Sequence, residues 1–314
     1  MFAIRKNWII LATGLSLALA SLPAAAQDDI DVLGQFLEQN LPVQDDPLGT
    51  FLSSRPAERV EAQAAVAGPL LSSQSALIMN GRSGEILYQK GIDQVRPIAS
   101  ISKLMAAMVV LDAQQNLNET LEITEAEIDR LKGTGSRLSV GPPLTRREML
   151  HLGLMSSENR AIHALARNYP GGLPAFMSAM NRKAQSLGMQ QTRFYDPTGL
   201  DFRNVSTARD LSLMVRAAHE YPLIRQFSTS NSGSAQTSNG RVQQYRNSNA
   251  LVREGTWNIS LQKTGYIRES GRSMVLYANV QRQPLIIVLL NSPSPTTRVN
   301  DARAIQNWVN GREI

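Results

Sequence analysis

The stretch Ala99-Ser100-Ile101-Ser102-Lys103-Leu104-Met105-Ala106-Ala107-Met108-Val109-Val110-Leu111 constrains the fold more than any other. Introduced by Pro97, it reads as a helix that is apolar around its whole circumference rather than along one stripe, and such a helix needs cover on every side. At 314 residues, with 42% apolar and 18% charged side chains, the chain can supply that cover within one large globular body.

The rest of the pattern shows where the cover comes from. Ala76-Leu77-Ile78-Met79 reads as a strand, Asn80 to Gly84 as a turn and Glu85 to Tyr88 as its return, a hairpin signal. Helical patterns follow over 125–132, 146–153, 158–168, 174–187 and 207–219. The stretch from Ser228 to Gly240, dense in Ser, Thr, Asn and Gly, marks a long loop or a solvent-facing hairpin tip. Strand patterns return at 257–263, 273–280 and 285–290, and a helical pattern over 299–308 closes the chain. Two strands early and three late predict an α/β fold: a five-stranded, mainly antiparallel sheet flanked by helices, with an all-helical subdomain inserted at about 115–225.

Before this body, Arg5 and Lys6 precede an apolar run from Trp8 to about Ala20, and Ala24-Ala25-Ala26 follows Pro23. This predicts a secretory signal peptide at 1–26, cleaved before Gln27, rather than a membrane anchor, because the run is short for spanning a bilayer. Residues 27–72 read as a leader or linker, and the catalytic domain is expected over 73–314. Cleavage removes two cations and no acid, so the net charge falls from +6 to +4 (6 − 2). That mild basicity lacks the clustered Lys/Arg and interleaved aromatics of a nucleic-acid binder. The chain has no Cys, which excludes disulfides, thiolate metal sites and a cysteine nucleophile. The three histidines, His151, His163 and His219, are scattered over helical patterns and predict no metal site.

Three short elements can carry chemistry. Ser100 and Lys103 lie three apart at the start of the buried helix, so their side chains share a face. A serine hydroxyl needs a base to become a nucleophile, and a desolvated lysine can be that base. Ser260 and Lys263 have the same spacing but fall in a strand pattern, where residues three apart point to opposite faces. Ser157-Glu158-Asn159, taken alone, reads as a Ser N-cap with Glu in the first helical turn. Lys263-Thr264-Gly265, taken alone, reads as a strand end with Gly in a turn.

In this order and these settings the three elements resemble the motif set of class A β-lactamases and penicillin-binding proteins. From about Ser75 onward the chain is similar to the low-molecular-mass penicillin-binding proteins, and among them to the periplasmic D-alanyl-D-alanine endopeptidases of the penicillin-binding protein 7 type. The match includes Pro97 to Leu104, Ser156 to Ala161, and Lys263 to Ser273 with Tyr266 and Gly271-Arg272. The resemblance implies a β-lactamase/transpeptidase-like fold and a periplasmic enzyme acting on peptidoglycan peptide crosslinks, with β-lactams as covalent inhibitors and no cofactor. It implies Ser100 as nucleophile, Lys103 as its base, Ser157 as proton relay, and Asn159 as holder of Lys103 and the substrate backbone. Lys263 and Thr264 would receive the substrate's carboxylate end, with Gly265 between them and Tyr266, whose backbone N–H joins that of Ser100 in an oxyanion hole.

Three other functions share these motifs. A class A β-lactamase uses a glutamate downstream of the second motif, and no Glu lies between Glu158 and Glu220. Asp196 and Asp201, in Tyr195-Asp196-Pro197-Thr198-Gly199-Leu200-Asp201, read as a structural turn instead. A non-catalytic binder of peptidoglycan peptides or penicillin is the second, although every motif position is intact. A D-alanyl-D-alanine carboxypeptidase is the third, and no physical argument from sequence excludes it. The short C-terminus after the third motif favours the endopeptidase and predicts no membrane anchor after signal cleavage.

Overall fold

A computed structural model describes residues 68–311. The predicted signal peptide and most of the predicted leader lie outside the described residues. Residues 68–72, assigned by sequence to the leader, are held against the body: Leu71 is buried, and Ser72 N–H donates to Asp301 Oδ1 at 2.8 Å.

The chain opens with β1 (Ser75–Asn80) and β2 (Ile86–Lys90), then a two-residue strand β3 (Arg96–Pro97). A 3-10 turn at Ala99–Ile101 leads into α1 (Ser102–Asp112). Next come β4 (Thr120–Glu122), β5 (Pro143–Thr145), α2 (Arg146–Met155), α3 (Asn159–Arg167), α4 (Gly172–Ser186) and β6 (Val205–Ser206). They are followed by α5 (Ala208–His219), α6 (Pro222–Ser228), the hairpin β7 (Ser232–Gln236) and β8 (Val242–Arg246), and α7 (Ala250–Glu254). The long strands β9 (Asn258–Ile267), β10 (Gly271–Val280) and β11 (Gln283–Ser292) precede the closing helix α8 (Pro295–Asn310).

The main sheet has the order β2-β1-β11-β10-β9, with every neighbouring pair antiparallel, as the sequence pattern predicts. Alternation along its strands feeds two cores. Leu77, Val275, Ile286 and Val288 face the helices of the insertion, while Ala76, Ile78, Leu276 and Ile287 face Ala302, Ile305 and Val309 of α8. This explains why β11 reads as an unbroken apolar run: both its faces are covered. α1 lies inside the first core, in contact with α2, α3, α4 and α5, and Leu104 to Met108 have no exposed surface. Each such Leu or Met burial contributes roughly 1.5–3 kcal/mol, and α1 is thereby fixed as the axis around which the insertion is built.

Two expectations are corrected. The insertion is not all-helical, since β4 pairs with β5 and β6 pairs with β3. The helix expected over 125–132 is a single 3-10 turn, Glu125–Glu127, capped reciprocally by Thr124 and Glu127. It stops because Asp129 takes the backbone N–H groups of Leu131, Lys132 and Thr134 on its carboxylate, a local alternative to the helical ladder, and Gly133 and Gly135 follow. The Ser/Thr-rich stretch after α6 resolves as the β7–β8 hairpin.

Glu127 joins this turn to α3. Burial alone would raise its carboxyl, but hydrogen bonds from His163, Arg167 and Thr124 outweigh it and hold the group down at about 2. A carboxylate depressed from 4.5 to about 2 adds stability that is fully present above pH 4.5 and is lost as pH falls toward 2. Glu127→Gln should therefore be less stable than the parent at pH 7, and the gap should shrink steadily below pH 4.5. Urea unfolding of both proteins at pH 7 and at pH 3 checks this; a gap unchanged at pH 3 would refute it.

Candidate active site

Where the chain turns into α1, Ala99 adopts a left-handed conformation (φ 47°), which sets Ser100 at the mouth of the helix rather than inside it. Ser100 is half-buried and Lys103, one turn on, is fully buried. Lys103 Nζ lies 2.6 Å from Ser100 Oγ, 2.7 Å from Asn159 Oδ1 and 2.7 Å from the Thr198 carbonyl oxygen. The geometry thus brings Ser100 and Lys103 together, as the spacing predicts, sets Asn159 against Lys103, as the resemblance implies, and adds a backbone carbonyl that side-chain patterns cannot reveal.

The Thr198 carbonyl is held firmly. The Asp196 carboxylate accepts the N–H groups of Thr198, Gly199 and Asp201 at 2.9, 3.1 and 3.2 Å and the Thr198 hydroxyl as well. This is the structural turn the sequence suggests. Asn204 bolts it to α1: its Nδ2 donates to Asp196 O at 2.8 Å and to Ser102 Oγ at 3.0 Å. Gly199 has φ +88°, and a Cβ there would stand 1.9 Å from the Ala99 carbonyl oxygen, so only glycine lets this loop lie against the turn that carries Ser100.

Ser157, between α2 and α3, is left-handed (φ 67°) and is not a helix cap; Glu158 occupies the N-cap position of α3. Left-handed residues other than glycine are strained and gather at functional sites. The twist separates the two neighbours of Glu158: Asn159 faces Lys103, whereas Ser157 Oγ receives a 2.9 Å hydrogen bond from Lys263 Nζ. The Glu158 side chain points away, to Ser136 Oγ at 2.7 Å. Burial raises its carboxyl against the lowering effects of Ser136, Arg137, Lys103 and Arg160. It anchors the 128–142 segment, which Lys132 ties to Glu269 in the β9–β10 turn.

Lys263 and Thr264 sit within β9, not at its end, and both are buried. Thr264 Oγ1 is 2.8 Å from Ser248 Oγ. A Cβ on Gly265 would come within 2.9 Å of Ile98 O and 3.2 Å of Ser100 N, so this glycine lets β9 run directly beside the start of α1. Tyr266 is 43% exposed and carries the Arg272 guanidinium 3.5 Å above its ring. Ser260, the other member of the rejected pair, bonds His219 Nε2 at 3.0 Å and takes no part in the cluster. Sequence reasoning missed Thr198, Gly199, Asn204 and Ser248. The Asp-Pro-Thr-Gly turn was the available signal for the first two.

Comparison with known proteins gives the family and the fold of the chain. The profile of the D-alanyl-D-alanine carboxypeptidase family of peptidases (family S11) matches residues 62–294. A D-alanyl-D-alanine endopeptidase of Pseudomonas aeruginosa is 44% identical over 245 residues, covering 78% of this chain and 79% of the relative. One from Escherichia coli is 44% identical over 242 residues, covering 77% and 78%. Among solved structures, the Streptomyces K15 DD-transpeptidase superposes with a TM-score of 0.72 at 27% identity, over 78% of this chain and 100% of that one.

Proposed function

Because the chain belongs to the D-alanyl-D-alanine carboxypeptidase family of serine peptidases, we propose that it is a penicillin-sensitive D-alanyl-D-alanine endopeptidase. It cuts peptide crosslinks of peptidoglycan in the periplasm, after removal of residues 1–26, through an acyl-enzyme on Ser100. The observation that carries this reading is the surrounding of Lys103 Nζ by Ser100 Oγ, Asn159 Oδ1 and Thr198 O.

Two of those neighbours are carbonyl-type oxygens and can only accept. A neutral amine has two N–H groups and one lone pair. With both N–H groups directed at Asn159 and Thr198, the lone pair is left for the hydroxyl proton of Ser100.

The reaction then follows. Ser100 Oγ bonds to the carbonyl carbon between two D-alanine-type residues while its proton passes to Lys103. The developing oxyanion is met by the N–H groups of Ser100 and Tyr266. Ser100 N–H precedes the turn's first backbone bond, from Ile101 N–H to Ile98 O at 3.2 Å, so the helix ladder does not require it. Ser157, beside Lys263, hands its proton to the leaving nitrogen as the C–N bond breaks and takes in its place the proton that Lys103 received from Ser100. Asn159, with Oδ1 on Lys103, offers its amide N–H groups to the acyl-donor backbone. Lys263 and Thr264 attract the carboxylate end, and water completes hydrolysis by the reverse proton path.

The test is intact mass against time after mixing the purified protein with a penicillin, followed by digestion of crosslinked muropeptide dimers. The expected result is a long-lived adduct on the peptide containing Ser100, and dimers converted to monomers. Rapid loss of penicillin without a lasting adduct would overturn the reading in favour of a β-lactamase, and no reaction in favour of a binder. An adduct with cleavage of terminal D-alanine alone would make it a carboxypeptidase.

A further inference from the structure

The cleft has two ends. Asn159 holds the acyl donor, and Lys263 and Thr264 receive the carboxylate of the leaving residue. A terminal D-alanine stops at that carboxylate. In a crosslink the leaving nitrogen belongs to a neighbouring stem peptide, which continues past it. An enzyme that prefers crosslinks gains from contacts to that continuation, because binding energy from remote parts of a substrate can be used at the reacting centre.

Beyond Thr264 lies a firmly held link, Asn247-Ser248-Asn249, between β8 and α7. Ser248 Oγ is 2.8 Å from Thr264 Oγ1, and Ser248 N–H donates to the Met155 carbonyl at 2.9 Å. The Asn247 side chain donates to the carbonyls of Ser228 and Ser230 at 2.9 and 2.8 Å and accepts the Asn249 N–H at 2.9 Å. Two guanidiniums flank this link. Arg246 precedes it at the end of β8, and Arg253 Nη1 donates to the Asn247 carbonyl, which belongs to the peptide bond entering Ser248.

Both arginines are exposed. Neither has an ion-pair partner among the described residues, since Glu254, adjacent to Arg253, is engaged by Arg303 at 3.1 Å through both oxygens. They stand close enough to feel each other: desolvation first, and the Arg246 charge second, push the Arg253 pKa down. Two like charges on a fixed link, with no acid between them, repel, and a bound anion relieves that repulsion while accepting charge-assisted hydrogen bonds.

We propose that Arg246 and Arg253 form an anion subsite for the leaving strand, holding a second carboxylate of the neighbouring stem peptide beyond the one received at Thr264. The planar fork of a guanidinium suits a carboxylate, which it can bind through two parallel hydrogen bonds. The subsite acts on crosslinks and is idle toward terminal D-alanine or penicillin, neither of which extends past Thr264. This inference rests on the reading of the protein as an endopeptidase acylated at Ser100.

The test uses two synthetic crosslinked dimers that differ only in the further carboxylate of the leaving stem, free in one and amidated in the other. Penicillin acylation, followed by mass, is the reference reaction. The wild type should cut the free-acid dimer with a kcat/KM about tenfold or more above that of the amidated one, mainly through KM. Arg246→Ala/Arg253→Ala should cut the free-acid dimer no faster than the amidated one and should react with penicillin at the wild-type rate. Arg246→Lys/Arg253→Lys should recover part of the preference, because the charge survives and the fork does not. Equal rates on the two dimers in the wild type, or a preference that the double alanine variant retains, would overturn the subsite. An equal loss of penicillin acylation in that variant would also overturn it, reducing the pair to a support for Ser248 and Thr264. A wild type that penicillin does not acylate, or that cuts neither dimer, would instead overturn the functional reading and the subsite with it.

Discussion

Ser100→Ala should lower both penicillin acylation and crosslink cleavage by about 10⁴-fold or more while leaving thermal unfolding nearly unchanged. The expectation needs defending, because the site holds two Ser–Lys pairs. Ser100 Oγ and Lys103 Nζ are 2.6 Å apart, and Ser157 Oγ and Lys263 Nζ are 2.9 Å apart. Three features separate them. Ser100 lies at a helix N-terminus, where backbone N–H groups stabilise a developing oxyanion, whereas Ser157 lies in a left-handed link between helices. The backbone beside Ser100 is pressed against Gly265, the residue that precedes Tyr266 in β9. Lys103 has two acceptor-only oxygens, Asn159 Oδ1 and the Thr198 carbonyl, that direct its lone pair at serine.

The two pairs therefore differ in what their removal costs. Ser157→Ala removes a proton relay and should cost about 10²-fold, with the penicillin adduct still forming on the Ser100 peptide. Acylation rates by intact mass, with peptide mapping of the adduct, measure both variants. If Ser157→Ala proved the deeper lesion and Ser100→Ala kept more than a few per cent of wild-type cleavage, the nucleophile would be Ser157.

The main sheet and α1 were legible in the sequence because both rest on long apolar patterns: β11 is apolar on two faces, and α1 on all sides. The motif residues were legible as types and spacings. What they touch was not. That Ser157 and Asn159 serve different lysines depends on the left-handed backbone at Ser157, and nothing in Ser-Glu-Asn requires that conformation. The Thr198 carbonyl was invisible for a simpler reason, since every residue has a carbonyl and only folding selects one. The expected helix over 125–132 failed because periodicity says nothing of a single Asp129 carboxylate that claims three backbone N–H groups.

Gly199→Ala is the substitution expected to damage the folded state most. Its backbone is left-handed at φ +88°, which costs an alanine roughly 1–2 kcal/mol. The new Cβ would also fall 1.9 Å from the Ala99 carbonyl oxygen and 2.7 Å from Ser100 N, both backbone atoms that cannot rotate aside. Forced overpacking of this kind costs about 1–3 kcal/mol more, so the total loss is about 2–5 kcal/mol, a large share of the stability of an ordinary domain. The internal control is Gly240→Ala, with a similar φ of +76° but nothing within 4 Å of the added carbon. It should lose only the left-handed term, about 1 kcal/mol, and keep full activity. The relief open to Gly199→Ala is to push the 195–201 loop off the start of α1, which withdraws Thr198 O from Lys103 and shifts Ser100 from Gly265. Acylation by penicillin should then fall well beyond the share of molecules unfolded. Chemical denaturation and acylation rates of the two alanine variants, measured together, decide the matter: equal losses at 199 and 240 would show that the loop yields without disturbing the nucleophile.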